Sequence, residues 1–156
     1  MAYNQFDNPA QTVGLTASTA AAVNGVLAAA NIALKLLEAK VSFDGATSTN
    51  APAVVQFSRS TFATNAPGTN STSATPQKRD PGRQETIQAT CGNTWTTQPT
   101  VLTSQFVMDI GQYNGGYQYI MPQTSPIILP GAKGFVINII SPNNVNSTTC
   151  LTCEEG

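Results

Sequence analysis

The most suggestive spacing in the chain is Cys150-Leu151-Thr152-Cys153, two thiols separated by two residues near the end of the sequence. That spacing is half of a tetrahedral zinc site, or a dithiol redox pair. The sequence contains no histidine, so only Cys91 or a carboxylate could complete a metal site. A redox pair ordinarily sits where a strand runs into a helix, and nothing after Cys153 reads as one. Three cysteines cannot all pair within one chain. Free thiols, or a bridge between neighbouring subunits, are the expected states of Cys91, Cys150 and Cys153, with no metal and no cofactor.

Other chemistries meet the same shortage of groups. A nucleophilic Ser, Thr or Cys needs a neighbouring base, which is histidine in most arrangements. A glycosidase-like site needs two carboxylates converging in a groove. The candidates are Asp44, Asp80, Glu85 and Asp109. Asp44 precedes Gly45 and reads as a turn residue. Asp80 lies in the charged turn Lys78-Arg79-Asp80-Pro81-Gly82-Arg83 and reads as a local partner of those cations. No phosphate-binding glycine loop is present. Asn70-Ser-Thr and Asn146-Ser-Thr fit the glycosylation pattern, which matters only in a secreted chain. The expectation is a protein without catalytic residues.

Charge narrows the partners. Seven basic and eight acidic residues give a net charge of −1, and only 10% of residues are charged. Phosphate backbones are bound by clustered Lys and Arg, so nucleic acid is not an expected partner. The surface must be made of Asn, Gln, Ser and Thr, which lose less than ions do when another protein covers them. The segment Met1–Pro9 lacks a basic region leading into an apolar core, so no secretory signal is expected. Val23 to Leu37 is interrupted by Asn24, Gly25, Asn31 and Lys35, so no membrane span is expected either.

These residues must be held by short strands. Ala53–Arg59, Glu85–Thr90, Val101–Ile110, Tyr117–Met121, Pro126–Gly131 and Gly134–Ser141 read as strands or short apolar runs bounded by Gly, Pro and Asn. Gly92-Asn93 and Asn114-Gly115-Gly116 read as turns, and Asn65–Arg83 as a long polar contact loop. Between Thr16 and Lys40 the two local signals conflict. Dense alanine with Leu27, Leu34 and Leu37 favours helix, yet Asn24-Gly25 is a turn signal. Ile32, Leu34 and Leu36 alternate, and Ala39, Val41 and Phe43 continue the alternation on odd positions. The conformation of 16–32 therefore stays open, while 32–43 reads as strand. The expected fold is all-β, a single β-sandwich or jelly-roll-like domain over 15–156 with an extended N-terminal arm over 1–14. Its expected core includes Phe43, Val55, Phe57, Phe106, Met108, Phe135, Ile137 and Ile139.

Val41-Ser-Phe-Asp-Gly45 followed by Ala53-Val-Val-Gln-Phe57 resembles a family of small virion structural proteins of tailed bacteriophages. Asp80-Pro-Gly-Arg-Gln-Glu-Thr-Ile87, Ile127-Ile-Leu-Pro-Gly131 and the acidic end Cys150–Glu155 continue the likeness in order, over about residues 30–155. The resemblance implies a β-sandwich that decorates or cements a capsid surface, bound at junctions of the major capsid protein, as a homotrimer made in the host cytoplasm. It also implies that Ala33–Phe43 is strand. The Asn/Gln-rich N-terminus, the Thr/Asn-rich stretch near 65–76 and the CxxC depart from that pattern. The expected contacts are Tyr3 and Phe6 on the arm and the basic trio Lys78, Arg79 and Arg83. Deleting residues 1–12 is then expected to abolish attachment and leave the domain folded. Alternative readings are a tail, fibre or baseplate component, or a carbohydrate-binding adhesion module using Trp95, Tyr113, Tyr117 and Tyr119 as stacking platforms.

Overall fold

The computed structural model describes residues 3–44, 53–110 and 116–156, with the backbone alone for 101–110. Its described residues form twelve strands and no helix. In chain order these are β1 (Asn4–Leu15), β2 (Ala20–Leu27), β3 (Leu34–Asp44), β4 (Ala53–Ser60), β5 (Ser71–Ala74), β6 (Gln77–Lys78), β7 (Thr90–Trp95), β8 (Val101–Ile110), β9 (Gly116–Ile120), β10 (Ile127–Leu129), β11 (Gly134–Ile140) and β12 (Val145–Glu155). Sheet A runs β6-β1-β12-β3, and both β9 and β10 pair with the far side of β3. Sheet B runs β5-β7-β2-β11-β4-β8. The two antiparallel sheets pack face to face, as a β-sandwich.

The core lies between the sheets because side chains alternate along a strand. On β12 the odd positions Val145, Ser147, Thr149, Leu151, Cys153 and Glu155 are buried. The facing sheet supplies Val23, Val26, Val55, Phe57, Phe135, Ile137 and Ile139. Phe6, Leu34, Leu36, Ile137, Ile139 and Leu151 are the largest fully buried apolar side chains. Each such burial contributes about 1.5–3 kcal/mol before conformational entropy is subtracted. The expected core residues Phe43, Val55, Phe57, Phe135, Ile137 and Ile139 are all buried; the side chains of Phe106 and Met108 lie outside the described residues.

In β3 and β1 the parity of the buried face changes, and a β-bulge explains each. In β3, Leu34 and Leu36 are buried, then Ala39, Val41 and Phe43. The ladder to β12 pairs Glu38 with Thr152 and Leu36 with Cys153, leaving Leu37 as the extra residue. The even-to-odd switch in the sequence is thus one bulged strand. In β1, burial moves from Phe6, Asn8 and Ala10 to Val13 and Leu15. The register shifts between Ala10 and Val13, and Thr12 has a φ of 52°.

The arm expected over 1–14 is corrected by this arrangement. Residues 4–15 are β1, hydrogen-bonded to β12 on one side and to β6 on the other. Phe6 and Ala10 are fully buried, so the strand is part of the sandwich and the domain does not begin at 15. A segment with few apolar residues becomes structural because β12, 130 or more residues later, supplies a full-length partner.

The helical propensity of the alanine-rich stretch is overridden as well. Ala20–Leu27 is β2, paired with β7 and β11. Asn24-Gly25 makes no turn. The Asn24 amide crosses the core, donating to the Asn8 carbonyl at 2.8 Å and to Thr149 Oγ1 at 3.2 Å. Asn8 returns a bond to Asn24 Oδ1 at 2.7 Å. Gly25 lies beneath Trp95 and Phe62, where a Cβ would meet the Trp95 ring at 2.8 Å.

Other local expectations fail for the same non-local reason. Gly92-Asn93 lies inside β7. Residues 84–89 carry no ladder, although a strand was expected over 85–90. The long polar stretch 65–83 contains β5 and β6. The expected turn at Asn114-Gly115-Gly116 lies largely outside the described residues, and β8 and β9, which it would join, belong to different sheets.

Candidate contact face

The outer face of sheet A gathers the basic trio, Tyr3 and Cys150. Because Phe6, Asn8 and Ala10 face the core, Asp7 and Pro9 face outward. The ladder aligns Asp7, Thr152 and Glu38 in one cross-strand row, and Pro9, Cys150, Lys40 and Gln118 in the next.

Arg79 spans this face. It follows β6, and its N–H donates to the Gln5 carbonyl at 3.0 Å, continuing the pairing with β1. Its Nε lies 3.1 Å from both oxygens of Asp7. Its Nη2 donates to Thr152 Oγ1 at 3.1 Å and to Glu38 Oε2 at 3.4 Å. Lys40 Nζ is 3.2 Å from the same Glu38 oxygen, and Gln118 Nε2 donates to the other. One guanidinium thus ties β1, β12 and β3 together. The hydrogen bond to Asp7 raises the Arg79 pKa, burial opposes it, and the charges of Asp7 and Glu38 add to the rise. With Arg79 40% exposed, each ion pair contributes at most about 1 kcal/mol. The network's larger effect is to leave matched charges on the face.

The rest of the basic trio is also used within the chain. Lys78 Nζ donates to the Arg83 carbonyl at 3.1 Å. Arg83 donates to the Tyr3 carbonyl at 2.6 Å and pairs with Asp80 at 3.3 Å. Tyr3, Arg79, Asp80 and Arg83, with Gln5 and Glu154, line a cavity of about 450 Å³. Four of the five expected contact residues, Tyr3, Lys78, Arg79 and Arg83, therefore share one corner of the molecule. Phe6 does not: it points into the core, a correction to its assignment as a contact residue.

The CxxC cannot act as a pair. Residues three apart on a strand face opposite sides. Cys153 is fully buried in the core, whereas Cys150 faces outward, half-buried in a groove of about 420 Å³ lined in part by Pro9, Gln11, Lys40, Gln118 and Thr148. All three thiols are free. Among the described residues no group of three or more Cys, Asp or Glu is placed to hold a metal ion. Burial pushes Cys91 up to about 12, Glu155 adding to the shift, and holds Cys153 well above its ordinary value. Burial also raises Cys150, with Asp7 contributing and Lys40 opposing. Raised thiols are protonated and slow near neutrality. Iodoacetamide at pH 8 is expected to label Cys150 alone in the native protein, more slowly than a free cysteine, and Cys91 and Cys153 only in denaturant. Peptide mass spectrometry reads this directly, and rapid native labelling of all three would contradict it. A bridge between subunits could use only Cys150.

The remaining candidates disperse. Asp44 is exposed at the end of β3; Asp80 accepts the Gly82 N–H at 3.1 Å; Glu85 is exposed; the Asp109 side chain lies outside the described residues. Trp95 is buried, stacked on Phe62 at 6.3 Å, and donates to the Asn65 carbonyl at 2.8 Å, so it offers no platform to a sugar. Tyr117 and Tyr119 are half-buried on β9, and Tyr113 lies outside the described residues. The carboxylates that do converge, Asp7 and Glu38, carry no local motif; only strand register brings them together. Glu155 was equally unmarked. It is 4% exposed and accepts the N–H groups of Gln88 and Ala89 at 2.8 and 3.0 Å.

Compared with known families, curated proteins and solved structures, the chain matches none.

Proposed function

We propose that this chain is a structural virion subunit that decorates a bacteriophage capsid, laying the outer face of sheet A against the major capsid protein. The finish of that face carries the reading. Its cations and carboxylates are matched by Arg79, Lys40, Asp7 and Glu38, its groove is lined mainly by neutral groups, and its rim presents Tyr3 at 53% exposure. Protein can cover such a face without stranding an unpaired ion. The phage shell itself comes from the sequence resemblance. The corner of Tyr3, Lys78, Arg79 and Arg83, rather than a free arm, makes the attachment, since β1 is held within sheet A.

The mechanism is linkage. A subunit that binds only the expanded shell stabilises that state by mass action, and association between bound copies adds avidity. The purified chain, mixed with expanded capsids of the phage that encodes it and with unexpanded procapsids, is expected to co-sediment with the expanded shells alone and to raise their melting temperature. Tyr3→Asp is expected to weaken that retention at least about tenfold, as loss of one rim aromatic would, with the melting curve of the free protein unchanged. Absence of retention on either shell would overturn the reading.

A further inference from the structure

We infer that the edge of β9 facing away from β3, unpaired among the described residues, is a self-association surface, which a second copy of this chain extends across a two-fold axis. This does not depend on the shell reading. The orientation of the edge follows from one bond. Met121 N–H donates to the Leu37 carbonyl at 2.8 Å, and hydrogen-bonded pairs alternate along an antiparallel ladder. Tyr117 and Tyr119, opposite Val41 and Ala39, therefore aim their backbone groups at β3. Gly116, Gln118 and Ile120 aim theirs away, and β9 pairs with no other described strand.

Exposed edges are normally blunted by charge, proline, a bulge or a covering element. The neighbouring edge segment β10 is flanked by Pro126 and Pro130. Gly116-Tyr117-Gln118-Tyr119-Ile120 has no charge, no proline and no register shift, and Ile120 is 67% exposed. The strand is also complementary to itself. Antiparallel pairing centred on Gln118 sets Gln118 against Gln118 of the second copy, Tyr117 against Tyr119, and Ile120 against Gly116. The residues whose backbone groups point outward are then the ones that bond across the axis. The half-exposed tyrosines form cross-strand aromatic pairs on the inner face. On the outer face Ile120 of one copy covers the bare Gly116 of the other. The protomer itself does not need glycine at 116, since a Cβ there would meet its nearest neighbours at 3.7 Å. With no ion on the strand, a two-fold brings no like charges together, so a second copy fits this edge as it stands.

A strand of five residues makes a small interface, so the association is weak and concentration-dependent. Sedimentation of the full chain over a concentration series is expected to show monomers and dimers in exchange. Gln118→Ala keeps the backbone donor and is expected to keep the dimer. Gln118→Pro removes a donor that faces away from β3 and is expected to weaken dimerisation at least about tenfold relative to Gln118→Ala, each protomer remaining folded by circular dichroism. Should the proline variant unfold, Gln118→Lys gives the same reading, because the axis places two lysines face to face. A monomer at every concentration, a trimer indifferent to these substitutions, or a proline or lysine variant that dimerises as well as Gln118→Ala would each overturn the inference.

Discussion

Deletion of residues 1–12 is expected to leave a protein without a cooperative unfolding transition. In the sandwich this segment is most of β1, and its loss uncovers β12 along most of its length while removing the one described strand that pairs with β6. Phe6, fully buried among residues from both sheets, goes with it. Truncating a buried phenylalanine costs about 3–5 kcal/mol, and a whole domain is stable by only about 5–15 kcal/mol. The deletion further strips Asn24 of the Asn8 bonds that satisfy it, and a buried orphaned amide costs about 1–3 kcal/mol more. Phe6→Ala alone is expected to lower the urea midpoint by an amount equivalent to about 3–5 kcal/mol. Circular dichroism through a urea titration reads both proteins. A sharp transition in the deletion protein near the parent midpoint would show β1 to be dispensable, and would return the segment to the role of a docking arm.

The second large effect is expected at Glu155. Its buried carboxylate accepts two backbone N–H groups from the segment 84–89, which has no ladder of its own. Ala89 is buried and Ile87 packs against the core, so the carboxylate pins a strap that closes one side of the sandwich. Hydrogen bonds to a charged group contribute about 1.5–3 kcal/mol each. Glu155→Ala is therefore expected to cost about 2–4 kcal/mol and to remove the exchange protection of the Gln88 and Ala89 amides. Glu155→Gln, which keeps one acceptor, is expected to lose about half as much. The alanine variant also removes the charge that, after burial, holds the Cys91 thiol up, so the Cys91 pKa is expected to fall. Protection unchanged at residues 88 and 89 would show that the strap is held by Ile87 alone.

Both predictions concern residues that carry no local signature, and this separates what was legible from what was not. Period-two alternation is a local property. Phe43, Val55, Phe57, Phe135, Ile137 and Ile139 therefore announced a two-faced β core directly, and even the parity change after Leu36 was visible, as the trace of a bulge at Leu37. The absence of histidine and the scarcity of charge were likewise readable as composition. What required the tertiary structure was every choice made by a distant partner. Residues 4–15 are a strand because β12 pairs with them; Asn24-Gly25 stays within a strand because β7 and β11 pair with it on either side and Asn8 holds the Asn24 amide. Arg79 meets Asp7 and Glu38 only because three strands align them, and the two thiols of the CxxC part company because a strand turns them to opposite faces. Side-chain alternation travels with the residue itself. Register and edge order depend on contacts between segments far apart in the chain, which no local pattern specifies.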